Sequence, residues 1–207
     1  MKLIDLLKQD KLSLSFEVFP PKNNFAFDTV ENAAKEIATL HPLFMSVTYG
    51  AGGGTSSYTL DIAKKINSTY NVPTLAHLTC ISSTKETITN KIKEFKNAGI
   101  ENIMALRGDL TPQLQNVNQS TLDYQHASSL IKDIVNSGED FCIGGACYPE
   151  IHPESPSQKD DIFYLKEKID AGCSFLTTQM FFDNNLLYNF LAISLWNLVF
   201  PSGSFKS

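Results

Sequence analysis

The feature that most constrains this chain is a repeated plan: a short apolar stretch suited to a strand, then an amphipathic stretch suited to a helix, over and over. Strand-like segments begin near residues 14, 43, 74, 103, 141 and 174, a spacing of about thirty residues that matches one βα unit. In the first, residues 12–18, period-two alternation puts Leu12, Leu14, Phe16 and Val18 on one face and Ser13, Ser15 and Glu17 on the other, and Pro20-Pro21 ends it. Residues 43–48, 74–79, 103–106, 141–147 and 174–182 predict the other strands. Between them lie helical stripes. Asp28 is read as the N-cap of a helix carrying Val30, Ala33, Ile37 and Leu40. Leu60, Ala63 and Ile66 mark the next stripe, and Ser83 with Glu86 predicts a capping box before Ile88, Ile92 and Phe95. Ala127, Leu130, Ile131 and Ile134 mark another, then Ile162, Leu165 and Ile169, with Gly99, Gly138 and Gly172 as stops.

Alternation of this kind implies a parallel sheet, either doubly wound or a (β/α) barrel. Polar residues at every strand end favour the barrel, whose sites gather at the C-terminal rim. A dinucleotide fingerprint after the first strand is missing, and the glycine run 52–54 lacks the lysine of a P-loop.

The rest of the composition narrows the function. With 43% hydrophobic residues the chain can bury a core. A net charge of −5 with no basic block argues against nucleic acid. Cys80, Cys142, Cys147 and Cys173 form no C-x-x-C pair and suit buried thiols in a reducing, cytoplasmic setting. No 18-residue apolar run precedes residue 184, so no membrane role is expected.

Several strand-end residues can carry chemistry. Arg107 is the only arginine against sixteen lysines. Its planar fork grips phosphate or carboxylate bidentately, as an ammonium cannot. Gly108 lets backbone approach a ligand, and Asp109 adds a carboxylate; the bland alternative is a surface ion pair at a strand end. Glu17, among Phe16 and Phe19, is placed to hold its proton by desolvation, as a general acid needs. His77 lies inside a strand, where a hydrogen-bonded core histidine is the plainer reading. Two prolines stiffen the loop that carries Tyr148 and His152. Gln179 is a polar residue at the last strand's end. A metal-dependent barrel hydrolase using Glu17, His77, Asp109 and His152 is an alternative, although the spacing matches no standard site.

Seven stretches, in order, carry a resemblance: Ser15 to Lys22 (SFEVFPPK), Ser46 to Ala51 (SVTYGA), Ala76 to Cys80 (AHLTC), Ala105 to Asp109 (ALRGD), Tyr148 to Glu154 (YPEIHPE), Leu165 to Gly172 (LKEKIDAG) and Thr178 to Asp183 (TQMFFD). Together they resemble the methylenetetrahydrofolate reductase family. The resemblance implies an incomplete (β/α)8 TIM barrel with about six of its eight units, holding FAD at the C-terminal rim. NADH or NADPH would reduce the flavin, which would pass the hydride to methylenetetrahydrofolate. It implies catalytic and folate-binding roles for Glu17 (general acid), Asp109 (between pterin and flavin) and Gln179 (folate, then nicotinamide). It implies FAD contacts at Thr48, Tyr49, Ala51, His77, Arg107, Gly108, Asp109, Tyr148, His152, Asp161 and Lys168, with Arg107 and Lys168 at the pyrophosphate. A small-molecule folate is the expected partner.

The chain departs from the family in two places. It has His126-Ala127-Ser128-Ser129-Leu130 where the family often has Tyr-Ala-Ser-Asp-Leu. Residues 184–205 hold no charge, and residues 186–200 are apolar almost all round, interrupted by Asn189 and Asn197 and too short to span a membrane. The expectation is a barrel domain over residues 1–183 and an atypical apolar tail over 184–207 from truncation or a shifted frame. Open edge strands would then make the isolated chain self-associate, with weak activity or with FAD binding and no catalysis.

Overall fold

The computed structural model of the 207-residue chain describes residues 1–8, 12–21, 24–49, 56–110 and 117–199. Helix α1 (Leu3–Leu7) comes first. Strand and helix then alternate: β1 (Ser15–Val18), α2 (Phe27–Ala38), β2 (Phe44–Val47), α3 (Ser56–Ser68), β3 (Thr74–Thr79) and α4 (Lys85–Asn97). The second half continues with β4 (Asn102–Leu106), α5 (Ala127–Asn136), β5 (Cys142–Cys147), α6 (Gln158–Asp170), β6 (Phe175–Thr178) and α7 (Asn184–Val199). All six strands are parallel and lie side by side in sequence order. A doubly wound sheet would reverse that order at a switch point. The fold is therefore a (β/α) barrel with six strands, open between β1 and β6 among the described residues.

The two faces of the sheet differ in partner. Met45, Val47, Ala76, Leu78, Ile103, Ala105 and Ile143 pack outward against Ile62, Ile66, Ile88, Ile92, Phe95, Leu130, Ile131 and Ile134 of the helices. Alternate residues point the other way. Leu75, Met104 and Cys142 form a second, inner cluster with Leu3, joined by Phe44, Leu106 and Phe175. The register pairs Glu17 with Ser46, Ser46 with Leu75, Leu75 with Asn102, and Asn102 with Cys142, so these residues make one inward ring. Above it, His77 pairs with Met104, Met104 with Gly144 and Gly144 with Phe175. The Phe175 ring lies where a side chain at residue 144 would go: a Cβ there would sit 2.5 Å from it.

Helix α1 plugs the N-terminal mouth of this inner face. Leu3 is fully buried, and Asn102, itself 2% exposed, ties the segment down. Its Oδ1 accepts from the Leu3 amide at 2.7 Å, while its Nδ2 donates to the carbonyls of Met1 and Thr74, both at 3.1 Å. One buried amide thus satisfies backbone groups of two elements that neither could pair alone.

Several expected boundaries move, each for a tertiary reason. The first strand covers only Ser15–Val18, and Leu12 and Leu14 are exposed; β1 has a strand neighbour on one side only, and ahead of it the Leu14 carbonyl accepts from the Leu43 amide at 2.7 Å. The last strand stops at Thr178 rather than 182, because the amide of Gln179 donates to Cys147 at 2.8 Å and β5 offers no further carbonyl beyond it. Asp28 lies in the first turn of α2, whose N-cap is Ala26 after a 3-10 turn. That shifts the buried stripe from Ala33 and Leu40 to Ala34, with Phe27, Val30 and Ile37 beside it. Thr84, not Ser83, caps α4 by accepting from the Thr87 amide, and Asp123 in a distant loop accepts from the Lys85 amide at 2.9 Å.

Helix α7 docks on α6 through Phe190, which is buried with Cys147, Ile162 and Leu165. Leu186, Tyr188 and Leu191 stay exposed. Among the described residues no helix is long and apolar enough to cross a membrane.

Replacing Asn102 leaves the Leu3 amide and two carbonyls without partners. Asn102→Ala is expected to destabilise the fold by about 2–3 kcal/mol, read as a lower urea midpoint with an unchanged slope. A midpoint shift worth less than about 0.5 kcal/mol would show that α1 is not held by this residue.

Candidate functional site

The rim is built where β3 and β4 end. The Arg107 carbonyl accepts from the amides of Cys80 at 3.1 Å and Ile81 at 2.8 Å, which ties the two strand ends together. Gly108 follows at φ +83°, and a Cβ there would lie 2.9 Å from the Thr79 Cβ. The glycine is therefore demanded by its own backbone and by Thr79, whatever it does for ligand access. The Arg107 Nε donates to the Gly108 carbonyl at 3.2 Å, which aims the fork along the rim. The fork meets Glu154: Nη1 to Oε2 at 2.5 Å and Nη2 to Oε1 at 2.7 Å. Each partner holds the other's charge, Glu154 below the usual carboxylate range and Arg107 above its ordinary value. Both readings of Arg107 thus have a footing: it is an ion pair, and the pair is bidentate and faces a cavity.

That cavity is a cleft of about 350 Å³ at the C-terminal ends of the strands. Of the residues expected to bind cofactor, Tyr49, Arg107, Gly108, Asp109, Tyr148, His152, Asp161 and Lys168 line it. Tyr148 and His152 meet edge to face, with centroids 4.6 Å apart. The Lys168 ammonium reaches through the wall to donate to the Ala146 carbonyl at 2.8 Å. Its burial pushes its pKa below the usual lysine value, partly opposed by Asp161. The Ser155 hydroxyl donates to Asp161 at 2.9 Å.

Glu17, Thr48, His77 and Gln179 do not line this cleft. Glu17 and His77 face the barrel interior next to it, His77 Nε2 lying 3.9 Å from Glu17 Oε1. Desolvation pushes the His77 pKa down to about 4, so the ring is neutral and the contact is no ion pair. Desolvation also raises the Glu17 carboxyl above its ordinary range. Thr48 ends β2, its amide donating to Val18 and its carbonyl accepting from Thr59 Oγ1. Gln179 is exposed just beyond β6. Ala51 lies outside the described residues.

The cleft also contains residues that sequence reasoning did not assign. His126 and Tyr164 stack at 5.2 Å with 20° between their planes, joining the start of α5 to α6. Tyr164 sits between the apolar positions Ile162 and Leu165, and a polar aromatic there was the signal available in the sequence. Glu154 and Glu167 are the others of consequence. Burial pushes the Cys80 thiol up to about 12 and those of Cys147 and Cys173 up to about 11, which disfavours their thiolate forms.

A sequence profile of methylenetetrahydrofolate reductase matches residues 2–194. The chain belongs to the methylenetetrahydrofolate reductase family. It is 39% identical over 177 residues to the 5,10-methylenetetrahydrofolate reductase of Buchnera aphidicola, covering 84% of this chain and 58% of that protein. It is 38% identical over 175 residues to the Escherichia coli enzyme, covering 84% and 57%. The chain therefore spans a little under three-fifths of these curated relatives. Among solved structures, a Clostridium thermocellum protein described as binding two copies of 5-methyl-5,6,7,8-tetrahydrofolic acid superposes with a TM-score of 0.65 at 14% identity, over 95% of this chain and 64% of that one. Oxaloacetate acetylhydrolase superposes at 0.63 with 14% identity, over 92% and 66%. At such identities these two show the barrel fold alone.

The hydrolase alternative does not find its ligand set. Among the described residues no three His, Cys, Asp or Glu side chains gather as a metal site would require. Glu17 and His77 face the interior, whereas Asp109 and His152 line the cleft.

The neutral His77 has a consequence for acid stability. Burial holds its pKa at about 4, below the ordinary histidine value of 6.5, so between these values the unfolded chain binds the extra proton. Stability is present above pH 6.5 and lost as pH falls towards 4, by up to about 3 kcal/mol at 1.36 kcal/mol per unit. His77→Gln is expected to flatten the denaturant midpoint between those pH values, and an unchanged slope would place the acid sensitivity elsewhere.

Proposed function

We propose that this chain binds FAD along the cleft and carries the catalytic face that, with NADH or NADPH as hydride donor, reduces 5,10-methylenetetrahydrofolate to 5-methyltetrahydrofolate. The observation that carries the reading is the pairing of a desolvated acid, Glu17, with an adjoining cleft that holds the chain's only guanidinium. Family membership supplies the reaction, and the donor set fits the group. Arg107 and Lys168, which both line the cleft, can meet a diphosphate, and the edge-to-face Tyr148–His152 pair gives the cleft an aromatic side. Bound FAD supplies the two-electron chemistry.

The side chains do the rest. Desolvation raises the Glu17 carboxyl above its ordinary range, which favours the protonated form a general acid needs, and neutral His77 adds no cation to oppose that shift. Glu17 can then protonate the folate nitrogen as the five-membered ring opens. Asp109, at the mouth, and Gln179, beyond β6, are placed to hold folate, and Gln179 then the nicotinamide. Thr48, Tyr49, Ala51, Gly108, His152 and Asp161 complete the cofactor contacts. An anion arriving beside Lys168 favours the charged form that burial disfavours. A second reading, flavin binding without turnover, is favoured by the open β1 and β6 edges beside Glu17 and Gln179.

Titrating the purified chain with FAD and following NADH- or NADPH-linked reduction of methylenetetrahydrofolate, with an artificial acceptor alongside, separates these readings. Uptake of flavin with folate turnover supports the first, uptake without turnover the second, and no uptake overturns both. Arg107→Ala is expected to weaken FAD binding at least tenfold, about 1.4 kcal/mol. Glu17→Gln is expected to slow folate reduction by about 10²-fold or more. Because the Glu17 pKa is raised, wild-type turnover should fall as pH climbs through that raised value. A rate that rises over the same range would remove Glu17 as the acid.

A further inference from the structure

The Arg107 fork is already filled, and by a residue that no role in the reaction uses. Glu154 takes both Nη atoms, and its side chain is 56% exposed against 20% for Arg107. The carboxylate therefore can swing into water while the guanidinium stays where it is. We propose that the Arg107–Glu154 pair is a displaceable latch: it holds residues 148–157 against the cleft while the fork is free of ligand, and a diphosphate releases it by taking the fork. The proposal rests on the anion-binding reading of the cleft and adds its regulation.

Three observations carry it. First, the segment between β5 and α6 is a strap with firm ends and a strained middle. Tyr148 leads out of β5 and packs on His152, and Ser155 donates to Asp161 in α6. Between them Ile151 stands at φ +68°, a left-handed conformation that a β-branched residue holds only when something outside it enforces the turn. Second, short bonds arrange Glu154 on that strap. Its amide donates to His152 Nδ1 at 3.1 Å, and the Ser155 amide donates to the His152 carbonyl at 2.9 Å. Third, the cleft is lined by four acids, Asp109, Glu154, Asp161 and Glu167, against two bases, Arg107 and Lys168. An oxyanion entering with Glu154 in place meets an excess of negative charge and an engaged fork. With Glu154 turned out it meets the four Nη–H donors, the Nε–H staying on the Gly108 carbonyl, and one acid fewer. An exposed ion pair is weak enough to exchange, and a diphosphate brings more charge and more acceptor oxygens than one carboxylate.

The test compares wild type, Glu154→Gln and Glu167→Gln by calorimetric titration with inorganic pyrophosphate and, separately, with FAD. Hydrogen exchange of the amides of Glu150, Ile151, His152, Glu154 and Ser155 is followed in the same samples. Pyrophosphate should bind Glu154→Gln at least fivefold more tightly than wild type, while Glu167→Gln, which removes an equal charge from the same cleft, should gain less than twofold. Exchange in the strap should rise when pyrophosphate is added to wild type and should already be raised in ligand-free Glu154→Gln. Equal gains in the two variants would reduce the effect to general charge and overturn the latch. Weaker binding by Glu154→Gln would overturn it too, by showing that Glu154 orients the fork, as would failure of every form to bind pyrophosphate. If pyrophosphate shows the expected pattern and no form takes up FAD, the latch stands and the flavin reading falls. If FAD binds equally to wild type and Glu154→Gln with no pyrophosphate preference, the flavin reading stands and the latch falls.

Discussion

Everything at the rim depends on the two-residue alternation of six parallel strands in fixed register. Because Glu17 pairs with Ser46, Ser46 with Leu75 and Leu75 with Asn102, parity alone sends these side chains inward. Their neighbours Val18, Val47, Ala76 and Ile103 go outward into the helical core. A slip of one residue in any strand would exchange the two sets. The outward set holds the register: it buries Val47, Ala76, Leu78 and Ile103 almost completely, so a slip would take these groups out of the helical core and bring inward residues such as Glu17, His77 and Asn102 into it. The candidate site residues on the inner face are thus positioned by the outward-facing core residues.

The same constraint explains how two carboxyls and two histidines of one barrel differ in environment. Glu17 and His77 project into a space closed below by α1, Leu3 and Asn102, and desolvation moves both towards their neutral forms. Glu154 and His152 stand beyond the strand ends, where water and the Arg107 fork keep the Glu154 charge in place. One end of the site suits proton transfer and the other suits holding an anion. The boundary between them is the point where backbone leaves the sheet, marked by the Arg107 carbonyl accepting from Cys80 and Ile81.

Much of this was legible in the chain. The thirty-residue repeat gives the parallel sheet, and β3 runs over the expected residues. Ile88, Ile92 and Phe95, and Leu130, Ile131 and Ile134, are buried as their spacing predicts. Eight of the expected cofactor residues share one cleft. Caps and ends were less legible because they depend on partners far away: Asp123 at the start of α4, and the end of the β5 ladder at the close of β6. Gly108 was singled out for its backbone freedom, but the close approach of Thr79, twenty-nine residues earlier, was visible only in the fold.

What the sequence determined by itself is what local periodicity and residue chemistry can encode: strand and helix order, which face of each is apolar, and that one guanidinium stands at a strand end. The tertiary structure alone decided which acid that guanidinium meets, that His77 is stripped of its proton beside Glu17, and that His126 stacks on Tyr164. Those outcomes follow from distance and dielectric between segments tens of residues apart, and neither quantity exists until the strands have taken their places.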